Sequence, residues 1–187
     1  MSDAEATGFS RLEETERFSG WTISLVQATF ESPDGRTFER DIVRHPGAVA
    51  VVAVDDQRHA TLVRQYRPSV GTFVLEIPAG TCDVDGEEAE ATARRELAEE
   101  AGLEARSWSQ LATLYNSPGY CDQVTRVFLA TGLTDHPTDR SGIEEEFMTV
   151  EVVDLADVAG LIAAGTVRDA TTMVGLLLAE RATPLGD

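Results

Sequence analysis

Residues 80–103 read GTCDVDGEEAEATARRELAEEAGL, and eight of these 24 positions are carboxylates. The chain is acidic throughout, with 33 Asp and Glu against 15 basic residues and a formal charge of −18. Ala89, Ala93, Leu97 and Ala101 recur every four residues, so the stretch predicts a helix with these side chains facing a core. Asp85 and Glu88 have capping-box spacing, which puts the start near Gly86, and Gly102 is placed as a left-handed C-cap. On that helix Glu100 lies about 40° round the axis from Glu96, one turn further on. Glu96, Glu99 and Glu100 therefore crowd the last turn, the negative end of the helix dipole, where carboxylates are disfavoured. Repulsion costs roughly 0.2–0.5 kcal/mol per like-charged pair at such spacing. The stretch is either a solvated acidic helix end or a cradle for a cation. Oxygen donors without His or Cys suit a hard ion, Mg²⁺ or Mn²⁺.

The rest of the chain narrows the choice. At 187 residues, 42% of them hydrophobic, it suits one domain with some excess at the N-terminus. The apolar runs AVAVVAV and VGLLLA fall far short of the about 20 residues that span a bilayer. The N-terminal MSDAEATGFSRLEETERF lacks the basic and apolar regions of a signal peptide, so the expected location is cytoplasmic. Cys82 and Cys121 form no metal spacing or disulfide framework, and His45, His59 and His136 are scattered. All 15 basic residues are arginine. The absence of lysine excludes a P-loop lysine and Schiff-base chemistry. No basic run is available to neutralise a nucleic-acid backbone. An anionic small-molecule substrate would be repelled overall and needs arginines or a divalent cation locally.

Strands are expected at WTISLVQATFES and RTFERDIVRHP, joined by a turn at 32–36, then at GAVAVVAV, HATLVRQYR and TFVLEIPAG. WSQLATLYN and TRVFLATGL follow the helix, then the polar loop TDHPTDRSGIEEE, the strand FMTVEVVDL and two short helices at 157–165 and 169–181. This order predicts a mixed α/β (α+β) sandwich rather than a regular doubly wound sheet. Residues 1–18 read as a flexible lead-in, 19–46 as a small N-terminal β-hairpin domain and 47–187 as the main domain.

Residues 80–103 resemble the Nudix hydrolase signature, G-x5-E-x7-R-E-U-x-E-E-x-G-U, with U a bulky aliphatic. Glu87 stands eight residues before Arg95, and 95–103 match every fixed position; six residues rather than five separate Gly80 from Glu87. VRQYR, LEIPAG, SPG and the acidic loop before FMTVEV are similar to the ADP-ribose pyrophosphatase subfamily. The resemblance implies an α/β/α sandwich that hydrolyses a nucleoside diphosphate linked to another moiety, most of all ADP-ribose, with Mg²⁺ or Mn²⁺. It further implies a homodimer built through the N-terminal β-domain. Other nucleoside-diphosphate sugars, a dinucleotide, or a non-catalytic ADP-ribose sensor are the alternatives.

The resemblance also assigns residues. Glu96, Glu100 and the Ala79 carbonyl would hold metal, with Glu99 an additional ligand. Gly80, Glu87, Arg95 and Gly102 would shape the motif. Arg67, Glu76, Arg40 and Gly80 are the candidates for substrate contact. For Arg67 the alternative is a surface arginine, for Glu76 a structural salt bridge, and for Arg40 and Arg44 a place at the dimer interface. Glu144 is the first choice for a general base and Glu146 the second, a solvated acidic loop being the alternative.

Overall fold

The computed structural model describes residues 8–140 and 142–183, apart from the side chain of Glu144. Two compact units divide the chain: residues up to Pro46 with Tyr115–Val124, and Gly47–Leu114 with the segment from Thr125 onward.

The first unit is a three-stranded antiparallel sheet of β1 (Ser10–Ser19), β2 (Ser24–Glu31) and β3 (Thr37–Arg44), in that order. The β2–β3 turn closes where Ser32 N–H donates to Arg36 O, and Gly35 takes a positive φ of 82° that a residue with a Cβ would resist. β1 corrects the expected flexible lead-in over residues 10–18; residues 1–7 lie outside the described residues. Its side chains are exposed on both faces, so no apolar alternation announces it. It is held by backbone pairing with β2 and by polar links such as Thr29 Oγ1 to Glu13 and Arg44 to Glu14.

The second unit is a mixed sheet. Its order is β10 (Thr149–Asp154), β5 (His59–Arg67), β4 (Ala48–Val54), β9 (Val124–Asp135) and β8 (Leu103–Tyr115). β6 (Thr72–Glu76) pairs with β5 and β7 (Ala79–Thr81) with β4. TFVLEIPAG therefore forms two strands rather than one. Pro78 has no N–H to donate, and its carbonyl accepts from Val51 N–H at 2.8 Å. β4 and β9 run parallel; the other pairs with resolved registers are antiparallel.

β4 explains the two-sided core. Ala50, Val52 and Val54 pack with Leu62, Ile77, Val158, Leu176 and Ala179. The alternate residues Val49, Val51 and Ala53 pack with Ala93, Leu97 and Phe128. A strand buried on both faces needs the unbroken β-branched run seen in the sequence. Helix α1 (Ala89–Ala101) supplies Ala93 and Leu97 on one face, while α3 (Val158–Ala163) and α4 (Ala170–Ala182) supply Val158, Leu176 and Ala179 on the other. A very short helix, α2 (Ile143–Glu146), lies within the expected polar loop. The arrangement is the mixed α/β/α sandwich.

The start of α1 differs from the expectation. Gly86 adopts φ 78°, and the N-cap is Glu88 with no side-chain cap bond, so the Asp85 capping box does not form. Glu87 instead accepts the Thr92 hydroxyl at 2.8 Å. At the other end Gly102 has φ 67° and donates its N–H to Ala98 O, the left-handed cap.

Candidate active site

The second unit brings the C-terminal turn of α1 against β7. Ala79 N–H donates to Glu100 Oε2 at 3.0 Å. Glu100 is 5% exposed, and burial, reinforced by the charges of Glu96 and Glu145, pushes its carboxyl up to about 8. Ala79 N–H and Arg67 act in the opposite direction. Glu96 lies alongside, also raised by burial against the opposing Arg95 charge. Gly80 makes room for it: a Cβ on Gly80 would fall 2.5 Å from the Glu96 Cγ and closer still to its carboxyl. The glycine is thus required by close approach rather than by an unusual φ. The segment between Gly80 and Glu87 contains the left-handed turn at Gly86, and Gly80 lies against Glu96.

Arg95 links the remaining signature carboxylates. Its guanidinium lies 2.7 Å from Glu96, 3.0 Å from Glu99 and 3.6 Å from Glu87. Arg95 therefore offsets three of the charges that make the stretch costly. Glu99 is directed toward Arg95 rather than buried beside Glu100.

The sheet face that carries Val63, Gln65 and Arg67 is the face on which α1 packs, since Leu62, next to Val63 and so on the other face, belongs to the opposite core. Arg67 pairs with Glu76 at 2.8 Å, and Glu76 is 9% exposed. Burial raises the Glu76 carboxyl, with Arg67 pulling against it. Glu76 is thus in a salt bridge, the alternative stated for it, and Arg67 is within electrostatic reach of Glu100. Gln65 was not singled out from the sequence; its Oε1 is buried without a hydrogen-bond partner.

Among the three acidic residues of α2, the charge of Glu145 acts on both Glu96 and Glu100. Its carboxylate accepts Gly142 N–H at 3.2 Å. Glu146 is exposed, and the Glu144 side chain lies outside the described residues. Arg40 belongs to the first unit, where its guanidinium lies 4.8 Å above the Phe38 ring and donates to Glu39 O.

A divalent cation can be tested against this donor set. Among the described residues, no group of three or more His, Cys, Asp or Glu side chains is gathered closely enough to hold one. The chemistry nevertheless fits. Glu96 and Glu100 are neighbouring oxygen donors, Glu100 buried and Glu96 half-buried, and without a cation their ionised forms are penalised by desolvation and mutual repulsion. A hard cation removes that penalty.

The sequence pattern of the NUDIX domain matches residues 43–173. The chain belongs to the Nudix family. It is 42% identical over 155 residues to the ADP-ribose pyrophosphatase of Bacillus subtilis (strain 168), covering 83% of each protein. It is 35% identical over 175 residues to the ADP-ribose pyrophosphatase of Mycobacterium tuberculosis (strain ATCC 25618 / H37Rv), covering 94% of this chain and 84% of that one. A crystal structure of an ADP compounds hydrolase superposes with a TM-score of 0.80 at 22% identity, covering 93% of both chains, a likeness of fold. Nudix hydrolases generally use divalent metals, in keeping with the buried Glu100 and the half-buried Glu96 beside it.

Proposed function

We infer that this Nudix hydrolase cleaves ADP-ribose to AMP and ribose 5-phosphate in a reaction that depends on Mg²⁺ or Mn²⁺. The observation that carries the reading is Glu100, a carboxyl buried at a helix end where its ionised form needs a cation. The substrate follows the ADP-ribose pyrophosphatases to which most of the chain is similar.

Glu96, Glu100 and the Ala79 carbonyl are the proposed cation ligands, with Glu99 free to join by leaving Arg95. Bound there, the cation supplies charge neutralisation at the diphosphate and makes water easier to deprotonate. Arg67 offers the diphosphate a planar fork that can meet two oxygens at once, and Glu76 holds that fork in place. A carboxylate of α2 is our proposed base. The charge that Glu145 exerts on Glu96 and Glu100 favours it over the exposed Glu146, while Glu144, the first choice from the sequence, stays a candidate. A carboxylate there would take a proton from the attacking water.

Gly80→Ala is expected to drive Glu96 out of position and lower kcat about 10²-fold, the scale of a misplacement near 1 Å. Steady-state kinetics check this; an unimpaired alanine variant would show that Glu96 need not lie against β7. The substrate is tested by incubating the protein with ADP-ribose, UDP-glucose and GDP-mannose, with Mg²⁺ and a coupled phosphatase. ADP-ribose is expected to give the highest kcat/KM. Binding of ADP-ribose without release of AMP would instead identify a sensor.

The first unit carries the proposed homodimer interface. Leu12, Phe18, Trp21 and Ile23 are exposed there, and Trp21 is fully open at 103%. Apolar groups gathered on a small sheet are the composition of a surface that a second copy would cover. Light scattering is expected to give twice the chain mass; a monomer at micromolar concentration would remove the proposal. A cytoplasmic location is our proposal from the N-terminal sequence; among the described residues no helix is long and apolar enough to cross a membrane.

A further inference from the structure

Every helix leaves its last carbonyls without intrahelical partners. In α1 those carbonyls belong to the turn that carries Glu99 and Glu100, and a single connecting segment serves them. Gly102 O accepts His136 N–H at 2.8 Å, and Glu99 O accepts Asp139 N–H at 3.3 Å. Glu100 O accepts two donors from Arg140, Nη2 at 2.7 Å and Nε at 3.1 Å. The third arm of the same guanidinium, Nη1, donates to Met148 O at 2.9 Å.

Met148 is 4% exposed and its own N–H donates to Glu145 O at 3.1 Å. Arg140 therefore grips the main chain of Glu100 with one edge and the end of the α2 turn with the other. Its positive charge sits at the negative end of the α1 dipole, where it is favoured. A guanidinium holds its donors in a fixed fork, so the separation of the two carbonyls is set rather than merely permitted.

We propose that Arg140 is a positioning residue that fixes Glu145 relative to the Glu96–Glu100 end of α1. It touches neither substrate nor cation; it acts through the main chain of the two segments that meet around the site. The inference rests on the reading of Glu145 as a catalytic group. Lysine cannot reproduce the arrangement, because an ammonium is a point donor without the rigid fork.

The test is a double-mutant cycle with a second, activity-independent readout. Arg140→Met is expected to lower kcat for ADP-ribose about 10²-fold, as a displaced catalytic group does. KM should stay within about twofold, because substrate contacts are not removed. In the Glu145→Gln background the same substitution should cost no more than about twofold, because the group being positioned is already gone. In the cation-free protein, amide hydrogen exchange of residues 145–148 should accelerate in Arg140→Met. Arg140→Lys should fall between wild type and Arg140→Met in both readouts, and it serves if the methionine variant does not fold.

Equal cost of the Arg140 substitution in both backgrounds, or unchanged exchange at 145–148, would overturn the positioning role. If Glu145→Gln alone leaves kcat intact, the assignment of Glu145 falls instead. The two failures are thereby separated.

Discussion

Glu100→Gln is expected to lower kcat for ADP-ribose about 10³-fold or more, since a cation's stabilisation of developing charge is worth several kcal/mol and each 1.36 kcal/mol is tenfold. The fold should survive. Glutamine is nearly isosteric, and its Oε1 can keep the bond from Ala79 N–H that Glu100 now accepts at 3.0 Å. It also carries no charge to be buried, so the metal-free variant should melt no lower than the wild type. This combination separates a ligand from a structural carboxylate. A buried group that served only packing would lose stability and keep its rate. A kcat within tenfold of wild type at saturating Mg²⁺ would remove Glu100 from the site.

The second large effect is on stability. Burial holds the Glu100 carboxyl at about 8, against 4.5 for an ordinary glutamate. Below about pH 4.5 the group is protonated in both folded and unfolded chains, so its burial carries no ionisation penalty. As pH rises toward 8, the unfolded chain ionises first and the folded state loses stability; beyond 8 that loss is complete. The metal-free protein should therefore melt lower at pH 8.5 than at pH 5, on the order of 5–10 °C for a domain of this size. Glu96 and Glu76 are raised in the same direction and add to the trend. The carboxylates lowered by their partners, Glu14, Asp34, Asp55 and Glu151, lose their contribution at acid pH and lie outside this window.

Glu100→Gln should flatten the pH dependence, and the difference between the two melting curves isolates this one group. Mg²⁺ should raise the wild-type Tm more at pH 8 than at pH 5, because the ligand must be ionised. Calorimetry across that range checks both statements. A wild-type Tm that rises from pH 5 to pH 8.5 in chelator, with Glu100→Gln unchanged, would contradict them.

The same residues show what a sequence can carry. Helix α1 was legible because Ala89, Ala93, Leu97 and Ala101 keep helical spacing over about three turns, and Gly102 marks its end whatever lies around it. β4 was legible because a strand buried on both faces must be apolar throughout. The start of α1 was not, since Asp85 and Glu88 have the right spacing but Gly86 takes a left-handed turn between them. β1 was missed for a related reason. LEETERF exposes both of its faces, so it has no apolar period, and pairing with β2 is a tertiary property.

At the site, Glu96 and Glu100 are fixed by helix geometry alone, one turn apart on one side. The proposed base is different. Three consecutive glutamates carry no phase, and a shift of one residue on a helix turns the side chain by about 100°. What gives Glu145 its bearing is the Gly142 N–H that it accepts and the Arg140 grip on Met148 O. Neither contact is visible in IEEEF. Arg67 and Glu76 could be named from the sequence, but only the pairing of β5 with β6 shows that they share one ion pair.

The central claim, that the end of α1 is a cation cradle, is tested most directly by titrating Mn²⁺ into the protein without substrate and following the solution EPR signal of free Mn²⁺. The wild type should deplete that signal saturably, and Glu100→Gln and Glu96→Gln should each leave most of it intact. Equal depletion by all three proteins would contradict the account.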